Sequence, residues 1–295
     1  MKPAPFEYFR PHTLDEALSL LAEHGTDAKP LAGGQSLIPA MNFRLATPAV
    51  LVDLNGLSEL SYINDGPGGL TIGGMTRQRA LERSAMVPQR VPLIAETMPY
   101  IAHPAIRNRG TIGGSLAHAD PAAELPAVMV ALDAAFTATG KAGAREIAAS
   151  DFFTGLFSTG LEPGELLTEV RIPPQAEHCG VAFEEMSRRH GDFALVGVAV
   201  VVHLDDRGRC AGARIALLSV GDRPMLADGA GRSLVGQSPS AQSIRAAADA
   251  AATSDIDPPG DIHASPPYRR QLARVLTRRA LERAFECARQ GLGQG

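Results

Sequence analysis

Two glycine pairs, each closing on a serine, constrain this chain more than any other feature. The first lies in Lys29-Pro30-Leu31-Ala32-Gly33-Gly34-Gln35-Ser36-Leu37-Ile38-Pro39. The second lies in Thr111-Ile112-Gly113-Gly114-Ser115-Leu116-Ala117-His118-Ala119-Asp120-Pro121-Ala122-Ala123-Glu124. Glycine tolerates φ > 0 and admits close backbone approach, so consecutive N–H groups can line one concavity that accepts an anion. Ser36 adds a hydroxyl, and the turn after it a helix N-terminus. Asp120 and Glu124 suit ribose or ribityl hydroxyls as acceptors. Two such loops suffice for two phosphates without a lysine, each charge-assisted bond contributing about 1.5–3 kcal/mol. A pair of tight turns explains the same residues. Spacing alone leaves a phosphate-bearing cofactor and a purely structural role both open.

The surrounding grammar is mixed. Thr13 to Glu16 fits a capping box, Leu14, Leu18 and Leu21 follow at helical spacing, and Gly25 closes the helix. Residues 28–32 read as a short strand entering the first glycine pair, and 49–53 as another ending at the turn Asn55-Gly56. Leu70-Thr71-Ile72-Gly73-Gly74 echoes in Gly110-Thr111-Ile112-Gly113-Gly114, which predicts a strand running into a Gly-Gly turn twice. One echo does not make a solenoid. Between the copies, 75–103 predicts two helical stretches separated by Pro88 and Pro92. A strand over 166–172 stops at Pro173-Pro174, which places a domain boundary near 173–180. Beyond it, 193–204 and 213–220 are apolar, β-branched strands flanking Asp205-Asp206-Arg207-Gly208, a hairpin signal. Helices are predicted over about 240–252 and 267–290. The fold class is therefore α+β, its second half an antiparallel sheet with helices packed on it.

Composition works by exclusion. A chain of 295 residues, 45% hydrophobic and 20% charged, is long enough for two globular domains. Gly 30 and Pro 22 predict many tight turns. Lys plus Arg number 28 against 32 Asp plus Glu, so no basic field invites nucleic acid. Cys179, Cys210 and Cys287 are too few for an iron–sulfur cluster, and their scatter fits a reducing compartment better than a disulfide framework. The histidines never pair at metal-ligand spacing, and GxxxxGK(S/T), GxGxxG opening a helix, HExxH and GxSxG are all missing. Neither a protein-ligated metal nor hydrolysis is expected. No apolar leader and no bilayer-length apolar run is visible, so the expectation is a cytoplasmic chain without a transmembrane segment.

At the glycine segments the chain resembles a known family, the flavoprotein (medium) subunits of the molybdenum hydroxylases, or xanthine dehydrogenase family. Ala32-Gly33-Gly34-Gln35-Ser36 is similar to the family's first flavin loop. Arg107-Asn108-Arg109-Gly110-Thr111-Ile112-Gly113-Gly114-Ser115, with Ala117-His118-Ala119-Asp120-Pro121, is similar to the second. Ser187-Arg188-Arg189, Gly191-Asp192-Phe193-Ala194 and Tyr268-Arg269-Arg270-Gln271-Leu272-Ala273 extend the likeness over nearly the whole chain. Xanthine-oxidising relatives carry Asn in place of Ser115, Asp in place of Glu124 and Lys near Glu184, which favours the carbon monoxide dehydrogenase branch.

The resemblance implies a two-subdomain FAD-binding domain of the PCMH, or vanillyl-alcohol-oxidase, type over 1–177, with subdomains about 1–56 and 57–177. A C-terminal flavoprotein domain would occupy 178–295. By the same resemblance Ala32, Gly33, Gly34, Gln35, Ser36, Leu37 and Ile38 cradle the pyrophosphate of FAD. Ile101 and Ala102 line the cofactor, Thr111, Gly113, Gly114 and Ser115 form the second loop, Asp120 and Glu124 serve hydroxyls, and Leu167 packs near the rings. A large molybdenum-cofactor subunit would oxidise the substrate, and a small subunit with 2Fe-2S clusters would relay electrons to this FAD and on to an external acceptor. The family suggests a dimer of heterotrimers. The protein's part is binding and electrostatic tuning, so no catalytic acid, base or nucleophile is expected here. Two other readings stand beside it, a scaffold subunit without flavin and a stand-alone flavin oxidoreductase.

Several residues carry two readings. His118 contacts the flavin or orients its loop, and Phe193 approaches the isoalloxazine or, the favoured reading, packs in the core. Arg269, Arg270, Arg274, Arg278, Arg279 and Arg283 read as a solvated or packing face, or as a partner surface. Arg107 and Arg109 lean on phosphates or meet the iron–sulfur subunit.

Overall fold

The computed structural model describes residues 2–292. The chain begins with β1 (Glu7–Phe9), α1 (Leu14–His24), β2 (Ala28–Leu31), α2 (Leu37–Asn42) and β3 (Val50–Asp53). The strands form a parallel sheet in the order β1-β3-β2. Thr13 caps α1 by accepting the Glu16 N–H at 3.2 Å, but the Glu16 carboxylate turns back to the His12 N–H at 2.8 Å. The expected reciprocal box thus closes one residue early. Ala17, Leu18 and Leu21 bury against Ala28, Val50 and Val52. In a parallel sheet the carboxyl ends of the strands share one edge, where ligand loops emerge. Leu31 and Asp53 end there in register, and the first glycine loop leaves from that edge.

Next come β4 (Ile63–Gly66), β5 (Gly69–Gly73), α3 (Gln78–Arg83), α4 (Met86–Arg90), α5 (Pro92–Thr97), α6 (Pro104–Arg107), α7 (Ile112–His118) and α8 (Glu124–Ala131). Then follow β6 (Ala135–Gly140), β7 (Gly143–Ala148), α9 (Ala149–Phe152), β8 (Phe153–Gly155), β9 (Ser158–Thr159) and β10 (Leu166–Ile172). An antiparallel sheet of order β4-β5-β10-β6-β7 carries this half, with β8 and β9 a separate hairpin. Over 75–103 lie three short α-helices, α3 to α5, instead of two. Pro88 sits inside the first turn of α4, where its missing N–H costs nothing, and Pro92 starts α5.

The second echo is not a strand. Thr111 is an extended N-cap whose hydroxyl accepts the Gly114 N–H at 3.0 Å, and α7 starts at once. The first copy ends a strand and the second packs on it, with Ile112 N–H donating to Thr76 O at 3.0 Å and Gly113 N–H to Gly74 O at 2.9 Å. Two copies of one sequence thus take different structures because each is the other's partner.

The remainder holds β11 (Cys179–Ser187), β12 (Ala194–Leu204), β13 (Cys210–Leu218), β14 (Met225–Leu226), α10 (Asp228–Leu234), α11 (Ala241–Thr253) and α12 (Pro266–Leu292). The sheet is antiparallel in the order β11-β12-β13-β14. β12 is apolar along its length because both faces are covered. Val196, Val198, Val200 and Val202 pack with the residues of α11 and α12, while Ala199 and Val201 join the core of the preceding sheet. That core runs without a break from Leu70 to Leu218, so the two halves are packed together. β11 and α10 carry no clear sequence signal, since Glu184-Glu185 interrupts one and Gly229 and Gly231 the other. Among the described residues no helix is long and apolar enough to cross a membrane.

Candidate functional site

The glycine loops, some 80 residues apart in sequence, touch. A Cβ on Gly33 would lie 2.5 Å from Arg109 O and 2.8 Å from Gly110 Cα, and one on Gly114 would lie 3.3 Å from the Ala32 side chain. Gly34 uses the other property of glycine, with φ +73°. The loops differ in what they offer. Among the described residues the backbone N–H groups of Gly33, Gly34, Gln35 and Ser36 have no protein acceptor, and the first internal bond is Ile38 N–H to Gly34 O at 3.1 Å. The expected second loop is instead the first turn of α7, because the Thr111 hydroxyl caps a helix there, and Ile112, Gly113, Gly114 and Ser115 already donate to Thr76, Gly74 and Thr111. The first loop therefore presents donors, while the second presents close approach and the hydroxyl of Ser115. Gln35 folds back to Gly33 O at 3.0 Å, the exposed Ser36 makes no capping bond, Leu37 is half-buried and Ile38 is exposed. Unclaimed donors beside glycines that admit no Cβ fit a diphosphate.

A cavity of about 560 Å³ opens between the first loop and Tyr8, Asp53, Asn55 and Arg109, within the ~300–1,000 Å³ usual for small-molecule sites. Burial raises the Asp53 carboxyl, but hydrogen bonds from the Tyr8 hydroxyl and from Asn55 outweigh it and hold the pKa below the ordinary carboxylate value. Of these four wall residues only Arg109 was singled out in the sequence; Tyr8, Asp53 and Asn55 were not read as site residues. The available signal was Asp53 at the carboxyl end of a strand. A smaller crevice of about 160 Å³ at the Pro173-Pro174 linker has no glycine loop near it.

The other expected residues divide. Ile101 is buried and Ala102 half-buried with φ 42°, and both present carbonyls to Arg107, at 2.7 and 3.3 Å. Arg107, only 5% exposed, also pairs with Glu82 at 3.0 Å. It is consumed internally and is free for neither phosphate nor partner, whereas Arg109 lines the cavity. Leu167 is a core residue whose carbonyl backs Gly74, one layer behind Gly113. Asp120 accepts the Ala122 N–H at 2.9 Å, and Glu124 starts the fully buried α8. His118 is exposed, with its ring 5.1 Å from that of Phe157.

Phe193 corrects the core reading. It is 69% exposed, ahead of the strand that would have buried it, in a loop seated by Gly191 on the His103 ring. The arginines of α12 are mostly satisfied within the chain. Arg269 donates to Leu195 O, Ser219 O and Asp261, Arg270 to Ala252 O and Ile256 O, and Arg274 to Asp249. Arg278 pairs with Glu282 and Arg283 bridges Glu96 and Glu184, while Arg279 is exposed.

Glu185 of β11 was also missed. Burial pushes it up to about 8, and the Glu124 charge adds to that. Glu124 is pushed up to about 7 by burial, opposed by its own helix N–H, with Asp120 raising it further and Arg107 lowering it. Both carboxyls keep protons in the folded chain at pH values where the unfolded chain has lost them. Their contribution to stability is full below the ordinary carboxylate range and disappears as pH rises through about 7 and 8. Flavin-free chain should therefore melt lower at pH 9 than at pH 6, by on the order of 5 °C, and Glu185→Gln should flatten that slope. Parallel melting curves for wild type and variant would exclude the effect.

Comparison with known proteins agrees with this geometry. The model of the FAD binding domain in molybdopterin dehydrogenase matches residues 4–175, and that of the CO dehydrogenase flavoprotein C-terminal domain matches 181–284. The chain is 44% identical to the 6-hydroxypseudooxynicotine dehydrogenase complex subunit alpha of Paenarthrobacter nicotinovorans, covering 98% of this chain and 97% of the relative. It is 43% identical to the carbon monoxide dehydrogenase medium chain of Afipia carboxidovorans, covering 96% and 98%. A carbon monoxide dehydrogenase chain of Hydrogenophaga pseudoflava superposes with a TM-score of 0.94 at 39% identity, covering 97% and 99%. The loops, the fold and these relatives together make the chain a member of the molybdenum hydroxylase flavoprotein family, an FAD-binding medium subunit of the carbon monoxide dehydrogenase-like branch.

Proposed function

We propose that this chain holds one non-covalent FAD across its two glycine loops and passes electrons from iron–sulfur clusters on a small subunit to an external acceptor. The observation that carries the reading is the row of unclaimed N–H groups from Gly33 to Ser36, packed by glycine contact against the second loop. Bound FAD supplies the redox chemistry, accepting and releasing electrons singly or in pairs. The chain's residues bind and orient. Ala32 to Ser36 hold the diphosphate, assisted by the Ser115 hydroxyl at the loop built by Thr111, Gly113 and Gly114. Asp120 and Glu124 take hydroxyls, while Leu37, Ile38, Ile101, Ala102 and Leu167 give apolar surface that keeps water out. Domain limits of 1–177 and 178–295 accord with Pro173-Pro174 between β10 and β11.

Substrate oxidation then belongs to a molybdenum-cofactor large subunit, in a dimer of heterotrimers in the cytoplasm. Near-equal identity to relatives named for carbon monoxide and for 6-hydroxypseudooxynicotine supports assigning substrate choice to another chain. The test is flavin content of the chain purified with its native partners. About one FAD per chain, released on denaturation, is expected. A colourless chain in a metal-loaded complex would favour the scaffold reading instead.

A further inference from the structure

Loop contact alone does not hold the two glycine segments in place, because a hydrogen-bonded strap of side chains from elsewhere in the sequence crosses between them. Asn55, just beyond the end of β3, donates its side-chain amide to Ala32 O at 3.0 Å and to the Asp53 carboxylate. Its backbone N–H donates to the same carboxylate at 3.0 Å. The carboxylate is further fixed by the Tyr8 hydroxyl. The Asn55 amide oxygen accepts from one arm of the Arg77 guanidinium, whose other arm donates to Arg109 O. Arg77 is itself bridged to Thr111 through the backbone.

The two carbonyls gripped are those immediately before Gly33 and Gly110, the glycines at the loop contact. A trans peptide is planar, so fixing the Ala32 carbonyl also fixes the direction of the Gly33 N–H. Tying down both carbonyls also engages two partial negative charges that would otherwise face an approaching diphosphate. Arg77 carries a half-buried charge whose pKa is lowered by burial and by Arg109 nearby, and a bound dianion would offset the repulsion between the two guanidinium groups.

Resting on the FAD reading above, we propose that Asn55 and Arg77 are positioning residues for the flavin diphosphate. They set the spacing and peptide orientation of the two glycine loops through the carbonyls of Ala32 and Arg109.

The test uses the chain in its native complex, as wild type, Asn55→Ala, Arg77→Gln and Arg77→Lys. FAD per chain, the rate of FAD release on dilution, and melting of flavin-free and flavin-loaded forms are measured. Asn55→Ala and Arg77→Gln should release FAD about tenfold faster or more, with the flavin-induced rise in melting temperature reduced. Arg77→Lys restores the charge but not the fork, and should fall between. If Arg77→Gln does not assemble, the other two variants carry the same comparison. Release within about twofold of wild type in both Asn55→Ala and Arg77→Lys would overturn the proposal. So would an equal drop in melting of the flavin-free and flavin-loaded forms, which marks a general structural role. A wild-type complex without FAD would overturn the FAD reading itself, whereas wild-type FAD with unaffected variants removes only the strap.

Discussion

Gly33→Val and Gly113→Val should each strip the assembled chain of its flavin, leaving less than about a tenth of wild-type content. The cause is contact with backbone. On Gly33 the added Cβ meets Arg109 O at 2.5 Å and Gly110 Cα at 2.8 Å; on Gly113 it meets Gly74 O at 2.6 Å and Gly74 Cα at 2.9 Å. No rotamer change relieves such an overlap, so Gly33→Val must push the first loop from the 109–110 backbone, and Gly113→Val the start of α7 from the end of β5. Both glycines lie outside the positive-φ region, which makes close approach and not backbone freedom the reason for glycine. Gly66→Ala serves as control, since a Cβ there meets nothing within 4 Å. Flavin content is read from the visible spectrum and by release on denaturation. Full occupancy in Gly33→Val would contradict the loop contact.

Arg107→Ala should cost about 3–5 kcal/mol, the range for breaking a buried ion pair from one side. The guanidinium is 5% exposed and spans Glu82 at 3.0 Å and the Ile101 carbonyl at 2.7 Å. Its hydrogen bonds are also the main reason Glu82 lies below the ordinary carboxylate pKa. Removing it leaves the Ile101 and Ala102 carbonyls without that donor, and leaves Glu82 with Arg79 alone, at 2.6 Å. A fall in melting temperature of roughly 10 °C follows at the usual ~2–4 °C per kcal/mol. Because the same arginine holds the 101–102 turn, flavin content should fall with it. Thermal melting with flavin quantification checks both, and a loss below about 1 kcal/mol would show the pair to be dispensable.

How legible was this in the sequence? Local signals translated well. The leucine spacing of α1, the stop at Pro173-Pro174 and the hairpin at Asp205-Asp206-Arg207-Gly208 all lie where sequence reading puts them. Failures came where a neighbour decided the outcome. The echoed 110–114 segment reads as a strand by analogy, yet its copy at 70–74 already occupies the sheet and leaves it to cap a helix. Phe193 reads as core from its apolar surroundings but lies just outside β12. Arg107 and Arg109 look equivalent in sequence, and only the presence of Glu82 beneath one of them separates a buried clamp from a cavity wall.

The sequence by itself determined that the first glycine segment would form a loop and that the apolar stretch over 193–204 would be a strand. It also determined that no cluster of thiolates could assemble on this chain. Those are properties of residue type and short spacing, carried by covalent geometry and solvation. Only the tertiary structure decided that Gly33 lies against Arg109, that Asn55 and Arg77 join the two segments, and that the Glu124 charge acts on the buried Glu185. Each of those pairs is separated by more than 20 residues. Which residue faces which across such distances depends on how whole elements pack, and packing answers to the sum of buried contacts rather than to any local pattern.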